Sequence, residues 1–277
     1  MKPLIGIIGG TGGMGQLFKK RFVSRGYKVI VASRRTKMSI EGCASKADVV
    51  IITVPINKTI DIIKKVGPLV KKEGLMMDLT SLKKGPVKAM LRFSKASVIG
   101  THPVFGPSVG SFKNQTMVLC AARPGKWLDW LKGFLHKEGA KIKISTAEKH
   151  DRMMAVIQGM THFSTIAVAD AMKNLGVDVR ESLEYTSPIY KLRMDMVGRI
   201  LNQDPGLYAD IEIGNPMTIK TVGQYIRSAR KLEKVIKKKD RKGFVRIFKG
   251  AASFFGSFKR EAAEFSDYLI EKLVKRK

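Results

Sequence analysis

Leu4-Ile5-Gly6-Ile7-Ile8-Gly9-Gly10-Thr11-Gly12-Gly13-Met14-Gly15 begins with an apolar run, Leu4 to Ile8, and continues directly into glycines at 10, 12 and 15, the order G-x-G-x-x-G. A helical pattern, Met14 to Arg25, follows. In a strand–turn–helix context the first glycine allows a tight turn and the second lets the backbone approach a pyrophosphate. The third lets helix and strand pack closely, with the helix amino terminus facing the anion. Gly10, Thr11, Gly12, Gly13, Met14 and Gly15 are therefore the expected cofactor-binding loop of a Rossmann-type domain. A glycine-rich turn without a ligand is the alternative.

Downstream, β-rich runs alternate with helical stretches, the mark of βαβ units and a parallel sheet. The runs are Leu4–Ile8, Tyr27–Ala32, Val49–Thr53, Leu75–Asp78, Ser97–Gly100, Met117–Cys120 and Lys141–Ile144. After Ile144 the alternation stops. Ser145 with Glu148 reads as a capping box, opening a helical pattern that runs to about Asn174. Beyond it only helical patterns remain, broken at Ser187-Pro188, Asp204-Pro205-Gly206, Asn215-Pro216 and Asp240 to Gly243. This predicts an α/β dinucleotide-binding domain over 1–145 and an all-helical domain over 146–277.

A chain of 277 residues with 44% hydrophobic content can bury a substantial core. The amino terminus lacks the continuous apolar stretch of a signal peptide, and no apolar run approaches the roughly 20 residues of a membrane span. Two cysteines, Cys43 and Cys120, without metal-ligand spacing predict a reducing cytoplasm and no metal. The net charge of +29 is extreme and concentrated between Arg227 and Lys249. The same segment keeps Val222, Ile226, Ala229, Leu232 and Ile236 at helical spacing, which predicts one buried apolar face and a solvated basic face. No aromatic residues alternate with the lysines as a base-stacking surface requires, so nucleic acid is the less favoured partner.

The end of the second strand separates cofactors, since an NAD site commonly places a carboxylate there. Here the chain reads Ala32-Ser33-Arg34-Arg35-Thr36-Lys37. Ser33, Arg34 and Arg35 suit a 2′-phosphate, so NADP is expected in preference to NAD; the other reading makes the arginines part of the general basic surface. Residues following strands carry the chemistry of open parallel sheets. Ser81 follows Leu75–Asp78, and His102 follows Ser97–Gly100 in Gly100-Thr101-His102-Pro103-Val104-Phe105-Gly106-Pro107. By position, His102 is either a proton acceptor or a loop histidine bonded to backbone. In the helical half, Asp151, Gln158 and His162 are spaced by seven and four, placing them on one face of a continuous helix as interface partners or site residues. Arg199 lies four residues after Asp195, close enough for an exposed helical pair.

The stretches Gly100 to Gly110, Glu148-Lys149-His150-Asp151 through Ile157-Gln158 to His162-Phe163, and Ser187 to Ile211 resemble prephenate dehydrogenases. The similarity covers nearly the whole chain and extends to the dehydrogenase part of the bacterial bifunctional chorismate mutase–prephenate dehydrogenases. It implies a 6-phosphogluconate-dehydrogenase-like helical domain that forms a homodimer; with the first strand at Leu4 and the last residue Lys277, neither a mutase segment nor a regulatory domain is expected. It also implies oxidative decarboxylation of prephenate with hydride transfer to NADP or NAD, on the route to tyrosine. By resemblance His102 is the catalytic histidine, Ser81 sits beside the substrate hydroxyl and the nicotinamide, and Arg199 grips a substrate carboxylate. His150, Gln158, His162 and Lys191 are the remaining substrate-binding candidates. Ser108 stands where relatives commonly carry an acidic residue.

Arogenate dehydrogenase, another NADP-dependent oxidoreductase, and a basic nucleic-acid-binding protein on a Rossmann scaffold are the competing readings. Phe244, Phe248, Phe254, Phe255, Phe258 and Phe265 exceed what two terminal helices can bury on one small domain, which predicts that a second copy covers them.

Overall fold

All seven expected runs form strands: β1 (Ile5–Ile8), β2 (Val29–Ala32), β3 (Val49–Ile52), β4 (Leu75–Asp78), β5 (Ser97–Pro103), β6 (Thr116–Arg123) and β7 (Lys141–Ser145). They pair into one sheet ordered β2-β1-β3-β4-β5-β6-β7 in a computed structural model that describes residues 1–275. Alternate side chains of the central strands enter opposite cores, as a doubly covered sheet requires. Ile5, Ile7, Val49, Ile51, Leu75 and Met77 pack with Phe18, Phe22 and Phe134 on one face. Ile8, Val50, Ile52 and Met76 pack with Ile63 and Met90 on the other. The helices supplying these faces are α1 (Gly13–Ser24), α2 (Ile40–Lys46), α3 (Ile56–Val66), α4 (Lys84–Phe93) and α5 (Trp127–Lys137). Glu138, whose side chain is fully buried, is held by Arg21 and Arg25 and ties α1 to the end of α5.

The sheet is not wholly parallel. β6 runs antiparallel to β5, pairing His102 with Val118, while β7 is parallel to β6. His102 therefore lies inside the long β5 rather than in a loop after it.

Every element after β7 is helical: α6 (Ala147–Met154), a π-helical turn (Ala155–Met160), α7 (Thr161–Asn174), α8 (Val179–Ser182), α9 (Pro188–Leu201), α10 (Pro205–Gly214), α11 (Pro216–Lys237), α12 (Arg241–Phe255) and α13 (Phe258–Val274). Thr146, not Ser145, caps α6, accepting from the Lys149 amide at 3.1 Å; Ser145 is the last residue of β7, so no capping box forms. The π-turn changes the helical register, so Asp151, Gln158 and His162 do not share the face of one continuous α-helix. By compactness, 1–155 joins 209–217 in one unit, and 156–208 joins the residues from Thr218 in the other. Side-chain bonds explain the first grouping. Asp151 on α6 accepts from the Lys83 amide, and Asn215 donates to the Asp151 carbonyl at 2.7 Å, so α6 and the end of α10 belong to the sheet.

The apolar stripe of α11 is not buried within one chain. Ile236 is 62% exposed and Ile226 and Leu232 are also exposed, as is the whole phenylalanine series, with Phe254 at 87%.

Candidate active site

The turn after β1 depends on Gly9, which adopts φ +87° and whose Cβ would lie 2.6 Å from the Thr53 carbonyl oxygen. The tight turn assigned to Gly10 thus falls one residue earlier, at a glycine outside the motif. Gly10 is required for packing, since a Cβ there would meet Val31 Cγ1 at 2.6 Å, and at Gly15 one would meet Gly10 Cα at 2.5 Å. Gly12 differs: the nearest atom to an added Cβ is the Gly9 carbonyl oxygen at 3.4 Å, an ordinary contact, so packing does not demand glycine there. Gly12 is also the N-cap of α1 and supplies no capping side chain, leaving first-turn amides for an anion. This loop fits the pyrophosphate of a dinucleotide.

At the end of β2, Thr36 Oγ1 accepts from the Ser33 amide at 2.8 Å and Ser33 Oγ accepts from the Arg35 amide at 3.0 Å. The resulting turn projects Arg34 and Arg35 into solvent, with no side-chain ion pair for either among the described residues. Two free guanidinium groups can meet a phosphate.

A buried polar chain crosses from β5 to α6. His102, 2% exposed, and His150, also buried, are joined by a hydrogen bond between Nδ1 of His102 and Nε2 of His150 at 2.8 Å. His150 Nδ1 lies 2.8 Å from Asp151 Oδ1. The Asp151 carboxylate also accepts from the amides of Lys83 at 2.8 Å and Lys84 at 2.9 Å, at the start of α4. Burial alone would raise the Asp151 carboxyl, but the bonds from His150, Lys84 and Lys83 outweigh it and hold it below the usual range. His102 is held well below 6.5, first by burial and then by the nearness of His150 and Lys83. A neutral imidazole at physiological pH is the form that accepts a proton.

Lys83 fixes this neighbourhood. Its fully buried ammonium pairs with Asp78 and donates to the Thr101 carbonyl at 2.7 Å, next to His102. Removing one partner of such a buried pair leaves an uncompensated charge, at about 3–5 kcal/mol. Ser81 is half-buried in the same loop and makes no direct hydrogen bond to His102. Cys43 and Cys120 are buried thiols pushed up to about 11 and about 12, so neither is a nucleophile.

The helical unit holds the remaining candidates. Arg199 is exposed, and Asp195 pairs with Lys191 at 2.5 Å instead, so the expected Arg199–Asp195 pair does not form. The His162 and Tyr208 rings stand 4.6 Å apart, and Arg199 acts electrostatically on Tyr208. Gln158 has a buried Oε1 without a hydrogen-bond partner. The structure thus joins His102 directly to His150 and gathers His162, Arg199 and Tyr208 around one another. Sequence reasoning missed Tyr208, Gly9 and the roles of Lys83 and Asp78. A lysine five residues beyond a strand end carries no signal in itself, whereas Asp151 was visible only as a polar residue on an apolar helix.

Comparison with known proteins identifies the family. The family described as prephenate dehydrogenase, nucleotide-binding domain, matches residues 23–144, and prephenate dehydrogenase, dimerization domain, matches 146–250. A probable arogenate/prephenate dehydrogenase of Methanocaldococcus jannaschii is 41% identical over 96% of this chain and 64% of its own length. The T-protein of Haemophilus influenzae is 32% identical over 96% of this chain and 70% of its own length. The chain therefore spans about two thirds of the length of these curated relatives. Among solved structures, a prephenate dehydrogenase of A. aeolicus in complex with hydroxyphenyl propionate and NAD+ has a TM-score of 0.78 at 18% identity, covering 95% of this chain and 99% of that one. Synechocystis arogenate dehydrogenase gives 0.71 at 18% identity, covering 92% and 99%. Fold and site define a nicotinamide dinucleotide-binding oxidoreductase with a helical second domain. The chain belongs to the prephenate dehydrogenase family.

Proposed function

We propose that the chain is a prephenate dehydrogenase that prefers NADP to NAD. The observation that carries this is the Asp151–His150–His102 chain, which orients a buried neutral imidazole beside a dinucleotide-binding fold. When bound, a nicotinamide dinucleotide would supply the hydride acceptor for the ring carbon bearing the substrate hydroxyl. His102 takes up the hydroxyl proton as the carbonyl forms and returns it to the same oxygen once carbon dioxide has left and the ring is a phenol. Ser81 orients the hydroxyl. Arg199 supplies the fixed positive charge for a carboxylate, with Gln158, His162 and Lys191 as further substrate contacts. His150, read from resemblance as substrate-binding, acts instead through its bond to His102.

Gly10, Thr11, Gly12, Gly13, Met14 and Gly15 hold the pyrophosphate, and Ser33, Arg34 and Arg35 hold the 2′-phosphate. The working form is a homodimer, in keeping with the match to a dimerization domain and the uncovered phenylalanines of α12 and α13. No described helix is long and apolar enough to cross a membrane, and a cytoplasmic setting is part of the proposal. The second reading is arogenate as substrate, which carries an amino group where prephenate has a keto group. Initial rates with prephenate and arogenate, each with NADP and NAD, test both: prephenate with NADP should give the highest kcat/KM, and preference for arogenate would replace the first reading with the second.

A further inference from the structure

We propose that Asp151 is a positioning residue for the base: through His150 it fixes the tautomer of both imidazoles, so that His102 presents a bare Nε2. The proposal rests on His102 being the base, and it deepens that reading by naming what keeps the base competent.

Proton accounting leads to it. An ionised carboxylate only accepts, so the three groups around Asp151 must all donate: the Lys83 amide, the Lys84 amide and His150 Nδ1. His150 then carries its proton on Nδ1, and in the neutral ring Nε2 is a lone pair. That lone pair lies 2.8 Å from His102 Nδ1, which must therefore be the donor. A neutral His102 has one ring proton, now on Nδ1, so Nε2 is unprotonated. No other hydrogen bond is made by His102 among the described residues, so Nε2 is the nitrogen left for substrate.

The carboxylate is itself immobilised. Its two backbone donors sit at the amino terminus of α4, where the helix dipole favours negative charge. The Asn215 side chain holds the Asp151 carbonyl from the other side. When His102 takes a proton, the positive charge forms one imidazole away from this anion and can be shared towards His150 without any group moving.

An asparagine at 151 cannot do the same. It offers one acceptor oxygen to three donors, and its amide nitrogen, turned towards His150 Nδ1, demands the opposite tautomer along the whole chain. In Asp151→Asn, kcat for the wild-type enzyme's preferred substrate should fall by about 100-fold or more while KM moves little, the pattern of a misset base. Asp151→Glu keeps an acceptor-only group and should recover part of the rate. Nitrogen-15 NMR of the imidazoles gives the second readout. In wild-type protein at neutral pH, without substrate, His102 and His150 should both show a protonated Nδ1 and an unprotonated Nε2, and Asp151→Asn should reverse this.

The wild-type spectrum needs no variant to fold and no substrate to be known. A doubly protonated His150, or a proton on His102 Nε2, would overturn the proposal even in an active enzyme. An inactive chain showing the expected tautomers would instead overturn the functional reading and leave only the tautomer assignment standing.

Discussion

His102 and His150 meet edge to face, with ring centroids 5.0 Å apart, an interplanar angle of 74° and a 2.8 Å bond between Nδ1 and Nε2. One residue comes from β5 and the other from α6, so the bond joins the sheet to the first helix after it. His102→Asn removes the proton acceptor and leaves the surrounding contacts nearly isosteric. Its kcat should fall by about 100- to 10,000-fold, with KM within a few fold of wild type. A loss confined to KM would assign His102 to binding.

Acid should inactivate the enzyme late. His102 is held well below 6.5, so its base form persists as pH falls, and the acid limb of kcat/KM should lie below 6.5. Stability follows a related window. A histidine kept neutral when folded binds fewer protons than in the unfolded chain, so stability declines as pH drops below 6.5 towards the depressed folded value. Asp151, lowered from 3.8, adds a second loss as pH falls from about its unfolded value through its folded one. Denaturant unfolding at a series of pH values checks the sign: stability that rises on acidification from neutral would contradict a buried neutral His102.

Glycine substitutions separate fold from cofactor. Gly9→Ala forces a non-glycine residue to φ +87° against the Thr53 carbonyl and should cost about 1–3 kcal/mol of stability without any ligand present. Gly12→Ala makes only van der Waals contact with the Gly9 carbonyl oxygen and should leave the free protein's melting temperature nearly unchanged while weakening dinucleotide binding. Thermal melts with and without cofactor distinguish the two; equal destabilisation of the free proteins would refute the division of labour.

Replacing Arg34 and Arg35 together by alanine should weaken NADP by about 10- to 100-fold, the scale of one or two charge-assisted hydrogen bonds, and change NAD affinity little. Calorimetric titration of each cofactor measures this. An unchanged ratio would return both arginines to the general basic surface.

Much of the architecture was legible because local patterns agree with the fold. The strands from Ile5, Val49 and Leu75 are buried on both faces and read as continuous apolar runs, and the glycine loop announces its turn. What escaped depended on long-range pairing. The direction of β6 is set by its partner β5, so nothing in Thr116–Arg123 reveals that it runs antiparallel. A π-turn replaces one helical register with another, which undid the spacing inferred from Asp151 to His162. His150 read as a neighbouring-face residue because helical periodicity cannot foresee that a histidine 48 positions earlier fills the space beside it. The exposed Ile236 and Phe254 show the converse: an apolar pattern specifies burial without saying in which chain.

The measurement that bears most directly on the central claim is the initial rate of reduced-nicotinamide formation by the purified chain with prephenate and NADP, alongside His102→Asn. Turnover by the wild type, accompanied by carbon dioxide release and an aromatic product and lost in the variant, is the predicted result. Absence of turnover with prephenate and arogenate under either cofactor, in a folded protein that binds the dinucleotide, would contradict it.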